Sequence, residues 1–262
     1  MSAIFIQYRT QEGIAFITLH DPPANTYTYE MMRQLDAAIL EARFDPGVHV
    51  LVLQGHGEKF FSAGANIKML SEADPTFKYY FCLHANETLC RLEQTPKLVI
   101  AAMNGHAVGG GLEIALAADI RIACKGDGKI GLPEVTLGVL PGTGGTQRLA
   151  RLLGKARAIE LMVTGRTFSF EEAAAMGLVT HVFERERFAD QVVDYARQFL
   201  PPAKAAKAVG YIKRAVQSGT ESTLQEGLSL ERELQQRLFE SEDAKEGLAA
   251  YLGKRPPEFK GR

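Results

Sequence analysis

The hydrophobic period changes along the chain, and each change marks an element. Ile4, Ile6 and Tyr8 alternate with polar neighbours. Ile14, Phe16 and Thr18 are read as repeating that alternation after a Gln-Glu-Gly turn, which predicts an antiparallel hairpin. TYEMMRQLDAAILEAR then brings Met31, Leu35, Ala38, Ile39 and Ala42 onto one helical face, and Asp45-Pro46-Gly47 ends the helix. VHVLVLQG and LVIAAMNG (Leu98 to Gly105) are too continuously apolar for half-exposed strands and predict buried ones. Between them FKYYFCLHANETLCRLEQT predicts a long helix that stops before Pro96. Strands and helices in this succession describe an α/β core. After Pro201-Pro202 the strand signal ends, and AKAAKAVGYIKRAVQ and LSLERELQQRLFESEDAKEGLAAYLGKR carry helical periodicity with dense charge. The division expected is a core over 1–199 and a helical region over 200–262.

One segment sets a problem of its own. AVGGGLEIALAAD, Ala107 to Asp119, is apolar on every helical face except at Glu113. Such a helix is buried, so the carboxylate goes inside with it. Complementing the helix dipole is worth only about 0.3–1 kcal/mol, whereas burying an unpartnered carboxylate costs several times as much or drives its pKa up. A functional role for Glu113 follows. Gly109 to Gly111 let a ligand approach the backbone, and their N–H groups at a helix start can receive negative charge, as in an oxyanion hole. A second isolated acid, Glu134, stands in IGLPEVTLGVLPGTGG among Leu132, Val135 and Leu137. Two carboxylates in apolar settings can hold one water and divide the roles of acid and base.

Composition narrows the field. The 262 residues are 46% hydrophobic and 23% charged, an ordinary globular balance, and the formal net charge of −1 gives no bulk attraction to nucleic acid or an anionic membrane. Cys82, Cys90 and Cys124 fit no metal-ligand spacing and read as reduced thiols. No apolar run approaches the ~18 residues of a spanning helix, so a soluble, cytoplasmic protein is expected. GTGGT at Gly142 lacks the third glycine of a dinucleotide fingerprint, and no GK[ST] follows a glycine loop, which disfavours nucleotide chemistry.

FFSAGANIKML (Phe60 to Leu70), NGHAVGGGLEIALAADIRIA (Asn104 to Ala123) and LPEVTLGVLPGTGGTQRL (Leu132 to Leu149) resemble, in order and spacing, the signature blocks of the enoyl-CoA hydratase/isomerase (crotonase) family. The likeness continues through FSFEEAAAMGLVTHVF and the closing KEGLAAYLGKRPPEFKGR. It implies a spiral of ββα units with C-terminal helices that assemble trimers, commonly paired into hexamers. It also implies that the backbone N–H groups of Ala65 and Gly110 receive the thioester oxygen, that Glu113 activates the water, and that Glu134 protonates the α-carbon of a 2-enoyl-CoA. Lys68 falls on the basic position facing the CoA phosphates, with Ala63, Ala65 and Ile67 along the CoA arm and Phe259 and Lys260 near the adenine. Gly110→Ala, which keeps the N–H, is expected only to weaken turnover.

No cofactor is implied beyond the coenzyme A of the substrate, and no metal. Double-bond isomerisation or another CoA-thioester reaction at the same oxyanion hole is the alternative. RNA binding, which some family members show through a lysine-rich first helix, ranks far lower, because Arg33 and Arg43 there face Glu30, Asp36 and Glu41. Two positions depart from the pattern: Asn66, where an aspartate is common, and Asp21 to Thr28 (DPPANTYT), where many members carry a basic segment. His106 reads as structural.

Overall fold

The computed structural model describes residues 3–262. β1 (Ile6–Gln11) and β2 (Ile14–Leu19) form the antiparallel hairpin, with Ile6 opposite Leu19. α1 (Tyr29–Phe44) follows, its N-terminus capped by the Thr28 hydroxyl, which accepts the Met31 N–H. The chain then runs β3 (Val50–Gly55), β4 (Phe60–Ser62), α2 (Ile67–Glu72), α3 (Pro75–Glu93), β5 (Leu98–Met103), β6 (His106–Val108), α4 (Gly110–Leu116), β7 (Ile120–Cys124) and β8 (Lys129–Gly131). After α5 (Gly145–Leu153) and α6 (Lys155–Thr164) come β9 (Phe168–Ser169), α7 (Phe170–Ala175), β10 (His181–Phe183) and α8 (Phe188–Arg197). α9 (Ala206–Gly219), α10 (Leu224–Phe239) and α11 (Glu242–Leu252) complete it.

Two sheets share these strands. The larger has the order β1-β2-β3-β5-β7-β10 and is parallel from β2 onward; the smaller is β4-β6-β8-β9. Successive strand pairs β3/β4, β5/β6 and β7/β8 each place one strand in each sheet before a helical segment returns the chain. That repetition is a spiral of ββα units.

The large sheet is covered on both faces. Ala15, Ile17, Leu51, Leu53, Val99 and Ala101 point into the main core with α1 and α3, while Ile14, Phe16, Val50, Val52 and Ile100 pack beneath α8 against Phe188, Val192 and Ala196. β2 therefore shows no alternation of burial: every residue in it is buried. The half-exposed pattern read for Ile14, Phe16 and Thr18 fails because β3 pairs with β2 in parallel and makes it an interior strand.

α9 is tied to this core by charge. The Lys213 ammonium lies 2.9 Å from Asp119 Oδ2 and donates to the carbonyls of Lys97 (3.1 Å) and Leu92 (3.4 Å). Asp119 in turn accepts the Val99 N–H at 2.7 Å. Both side chains are largely removed from water, so losing one partner strands the other. Lys213→Met is predicted to lower unfolding free energy by about 3–5 kcal/mol in urea denaturation, and Asp119→Asn with Lys213→Met to recover part of that loss.

Candidate active site

α4 carries Glu113 inward as its apolar surroundings require, to 2% exposure. Three donors meet the carboxylate there. Oε1 accepts the N–H groups of Thr143 (2.7 Å) and Gly145 (2.8 Å), and Oε2 accepts the Thr143 hydroxyl. Hydrogen bonds to a charged group are worth roughly 1.5–3 kcal/mol each, enough together to offset the burial. Since the single Thr143 hydroxyl hydrogen goes to Glu113, the Tyr27 hydroxyl, 3.1 Å from Thr143 Oγ1, is the donor in that contact. Burial and the Glu113 charge push the Tyr27 phenol well above the usual tyrosine range, which keeps that proton in place. Behind the loop, Arg148 donates to the Thr143 carbonyl at 3.1 Å and grips Glu93 of α3 through two bonds of 2.8 and 2.6 Å.

Glu134 stands in the opposite condition. It opens a short 3-10 turn, Glu134–Leu137, and is half-buried with Oε2 shielded from water and without a hydrogen-bond partner among the described residues. Burial pushes its pKa up to about 7, with the Glu113 charge acting in the same direction and Lys78 against it. One acid is held by three donors and the other keeps an oxygen with no partner, its own backbone N–H opposing the rise in its pKa, a contrast that suits one to each of two roles.

The chain segments that carry Ala65 and Gly110 lie against each other. A parallel bridge joins Tyr27 to Ala65 through the Gly64 carbonyl (2.9 Å) and the Asn66 N–H (3.0 Å), which turns the Ala65 N–H away from Tyr27. Gly110 is the first residue of α4 and has no intrahelical acceptor. A Cβ on Gly64 would lie 2.7 Å from the Gly110 nitrogen, so the two segments abut. A Cβ on Gly110 itself would overlap the hydroxyl and ring of Tyr27, which is wholly buried. The expectation that alanine there only weakens the site is corrected by this contact.

The remaining assigned positions divide. Asn66 accepts the Met69 N–H at 3.0 Å and caps α2, so the amide performs the capping that a carboxylate would. Ala63 donates to the Ala24 carbonyl at 2.9 Å. Ile67 and Lys68 are exposed at the start of α2, and Lys68 lines an open groove of about 480 Å³ with Thr28, Asn66, Met69 and Phe77. Phe77 stacks on Phe81 and Phe81 on Tyr27, with centroids 6.2 and 5.8 Å apart, so an aromatic ladder runs from groove to buried carboxylate. In the departing segment, Asn25 donates to the carbonyls of His56 and Phe60, both at 2.9 Å, and delivers Tyr27. His106 Nδ1 accepts the Lys129 N–H at 3.0 Å, a structural contact.

Phe259 and Lys260 do not join Ala65 and Gly110 within one chain. The Lys260 and Gly261 N–H groups bind the Asp243 carboxylate at 2.7 and 2.8 Å, and Gly261 packs beside His49 and Pro201. His49 precedes β3, whereas Ala24 to Tyr27 follow β2, so the tail closes the other end of the large sheet.

A family model described as "Enoyl-CoA hydratase/isomerase" matches residues 9–262. The chain belongs to the enoyl-CoA hydratase/isomerase family. It is 41% identical over 267 residues to a probable enoyl-CoA hydratase of Rhizobium meliloti (strain 1021), covering 100% of both. A probable enoyl-CoA hydratase of Bacillus subtilis (strain 168) is 37% identical over 259 residues, 98% of each chain. A crystal structure from Geobacillus kaustophilus HTA426, described as "Enoyl-CoA hydrates", superposes with a TM-score of 0.97 at 47% identity, covering 100% of this chain and 98% of that one. The ββα spiral is thus the crotonase-type fold of this family.

Sequence reasoning missed Thr143, Tyr27 and Arg148. Thr143 was visible only as part of the glycine cluster GTGGT, which offers several free N–H groups in a short loop. Gly110→Ala is predicted to lower stability by about 1–3 kcal/mol through overpacking against Tyr27 and to remove most turnover of this family member, checked by urea denaturation beside kcat/KM.

Proposed function

We propose that the chain hydrates 2-enoyl-CoA thioesters to 3-hydroxyacyl-CoA. The observation that carries this reading is the pair of unlike glutamates, Glu113 held by three donors and Glu134 with an unpartnered Oε2 and a pKa of about 7, near the segments of Ala65 and Gly110. The thioester oxygen accepts those two N–H groups. Glu113 takes a proton from a water whose oxygen bonds to the β-carbon, the π electrons move into an enolate, and Glu134 gives its proton to the α-carbon. Each backbone donor aimed at the developing oxyanion is worth about 3–4 kcal/mol in the transition state. Glu113 ends protonated and Glu134 ionised, and proton exchange with solvent resets both. Lys68, at the groove, serves the CoA phosphates, and Ala63 and Ile67 flank the CoA arm.

Assembly belongs to the same proposal. Exposed apolar side chains crowd the C-terminal helices: Ile212 and Val216 on α9, Leu224 and Phe239 on α10, Leu248, Tyr251 and Leu252 on α11. Their burial supports trimers or hexamers, in which Phe259 and Lys260 reach a neighbouring copy's adenine site.

Glu113→Gln and Glu134→Gln should each fold and lose at least about 100-fold in hydration, followed as loss of the conjugated enoyl-thioester absorbance. Near wild-type rates in both would sink the assignment. The pH profile carries a sign. Glu134 enters hydration protonated, so its contribution to kcat/KM is complete below its pKa of about 7 and is lost as pH rises through it. The fall approaches about tenfold per unit, and residual Glu134→Gln activity should lack that limb. Analytical ultracentrifugation should show a trimer or hexamer at micromolar concentration; a fully active monomer would refute the assembly.

A further inference from the structure

Lys78 stands on α3 one turn before Cys82. Its ammonium lies 3.1 Å from Cys82 Sγ and 5.8 Å from the centroid of the Phe81 ring. Among the described residues it makes no ion pair. Asp74, one turn earlier, is already engaged in capping α3, accepting the N–H groups of Thr76 and Phe77 at 2.8 and 2.9 Å. A half-buried cation whose near neighbours are a thiol and an aromatic ring has lost water and gained no counter-charge.

Its position ties it to the reaction. A Cβ on Gly142 would lie 3.2 Å from Cys82 Sγ and 3.8 Å from Lys78 Nζ, so the ammonium abuts the residue just before Thr143, which grips Glu113. Its charge is also felt at Glu134. Asn86, one turn beyond Cys82, donates to the Gly142 carbonyl at 3.4 Å and holds this wall to the helix. In the proposed substrate pose, with the thioester oxygen at Ala65 and Gly110 and the reacting carbons between the glutamates, the wall formed by Gly142, Cys82 and Lys78 adjoins the Glu113 loop and is the one assigned to the acyl chain beyond the β-carbon.

We infer that Lys78 is a specificity residue that selects 2-enoyl-CoA substrates whose acyl chain ends in a carboxylate. The inference rests on the hydratase reading above. An ammonium beside Gly142, within reach of an acyl chain held next to the Glu113 loop, supplies a charge-assisted hydrogen bond to a substrate carboxylate and receives the counter-charge that the protein withholds. Phe81 and Cys82 give the methylenes before that carboxylate an apolar wall. A neutral alkyl end of the same length would leave the ammonium desolvated and unpaired, so discrimination comes from both sides.

The test compares 2-hexenoyl-CoA with 5-carboxypent-2-enoyl-CoA in the full-length protein, its Lys78→Met variant and its Lys78→Arg variant. The ratio of kcat/KM for the carboxylated over the neutral substrate should exceed one in the unmodified chain. It should fall roughly 10- to 100-fold in Lys78→Met, the size of a lost charge-assisted hydrogen bond, with the change mainly in KM, and be largely restored in Lys78→Arg. Because the ratio is taken within each variant, partial loss of folded protein cancels. A preference for 2-hexenoyl-CoA, or equal losses on both substrates in Lys78→Met, overturns the inference while leaving the hydratase reading intact. No hydration of either substrate by the unmodified chain overturns both.

Discussion

The burial of one carboxylate organises this molecule. Glu113 sits on a helix that has no polar face, so it cannot be left to solvent, and its negative charge must be answered from within the fold. The answer comes from the loop at Thr143 to Gly145, thirty residues further along, whose backbone turns two N–H groups and one hydroxyl onto it. That demand propagates. The loop has to be fixed, so Arg148 holds the Thr143 carbonyl and is itself locked to Glu93, while Tyr27 fills the space over Gly110 and donates to Thr143. α3 thus touches the site through its partners more than through its own reacting groups.

How much of this could be read in advance depends on the range of the interactions. Glu113 was legible because the contradiction is local: a charged residue in an all-apolar helix can be seen within seven positions. Glu134 stood out in the same way, although its neighbours Val135 and Leu137 are exposed and its partial burial comes from elsewhere, and α1 followed from its periodicity. The partners of Glu113 were not. Tyr27 and Thr143 are separated by 116 positions and meet only because β2 and the loop before α5 end on the same side of the molecule. The misread β2 has the same origin, since its burial is decided by a parallel neighbour, β3, that no local alternation reports. Lys78 resembled any exposed helical lysine until Gly142 was placed beside it.

The contrast between the two glutamates is likewise a product of distance along the chain. Glu113 gathers its donors from a loop that closes over it, whereas Glu134 stands on a short turn that follows a proline and leaves one of its oxygens bare. Neither residue type nor immediate neighbours distinguish them. Their difference in hydrogen bonding is built by what the rest of the chain brings, or fails to bring, within reach, and the raised pKa of Glu134 follows first from its burial.

Two of the three donors on Glu113 are peptide N–H groups, those of Thr143 and Gly145, and the two donors proposed for the thioester oxygen, on Ala65 and Gly110, are peptide N–H groups as well. Side-chain replacement leaves such groups in place. A systematic alanine scan would therefore register the Thr143 hydroxyl and the two carboxylates directly, would register Gly110 only through the crowding of a new Cβ against Tyr27 and not through its N–H, and would not scan Ala65 at all. The chemistry of the site is written largely in backbone, where only proline or replacement of an amide by an ester removes a donor, and a map of mutational sensitivity would draw it smaller than it is.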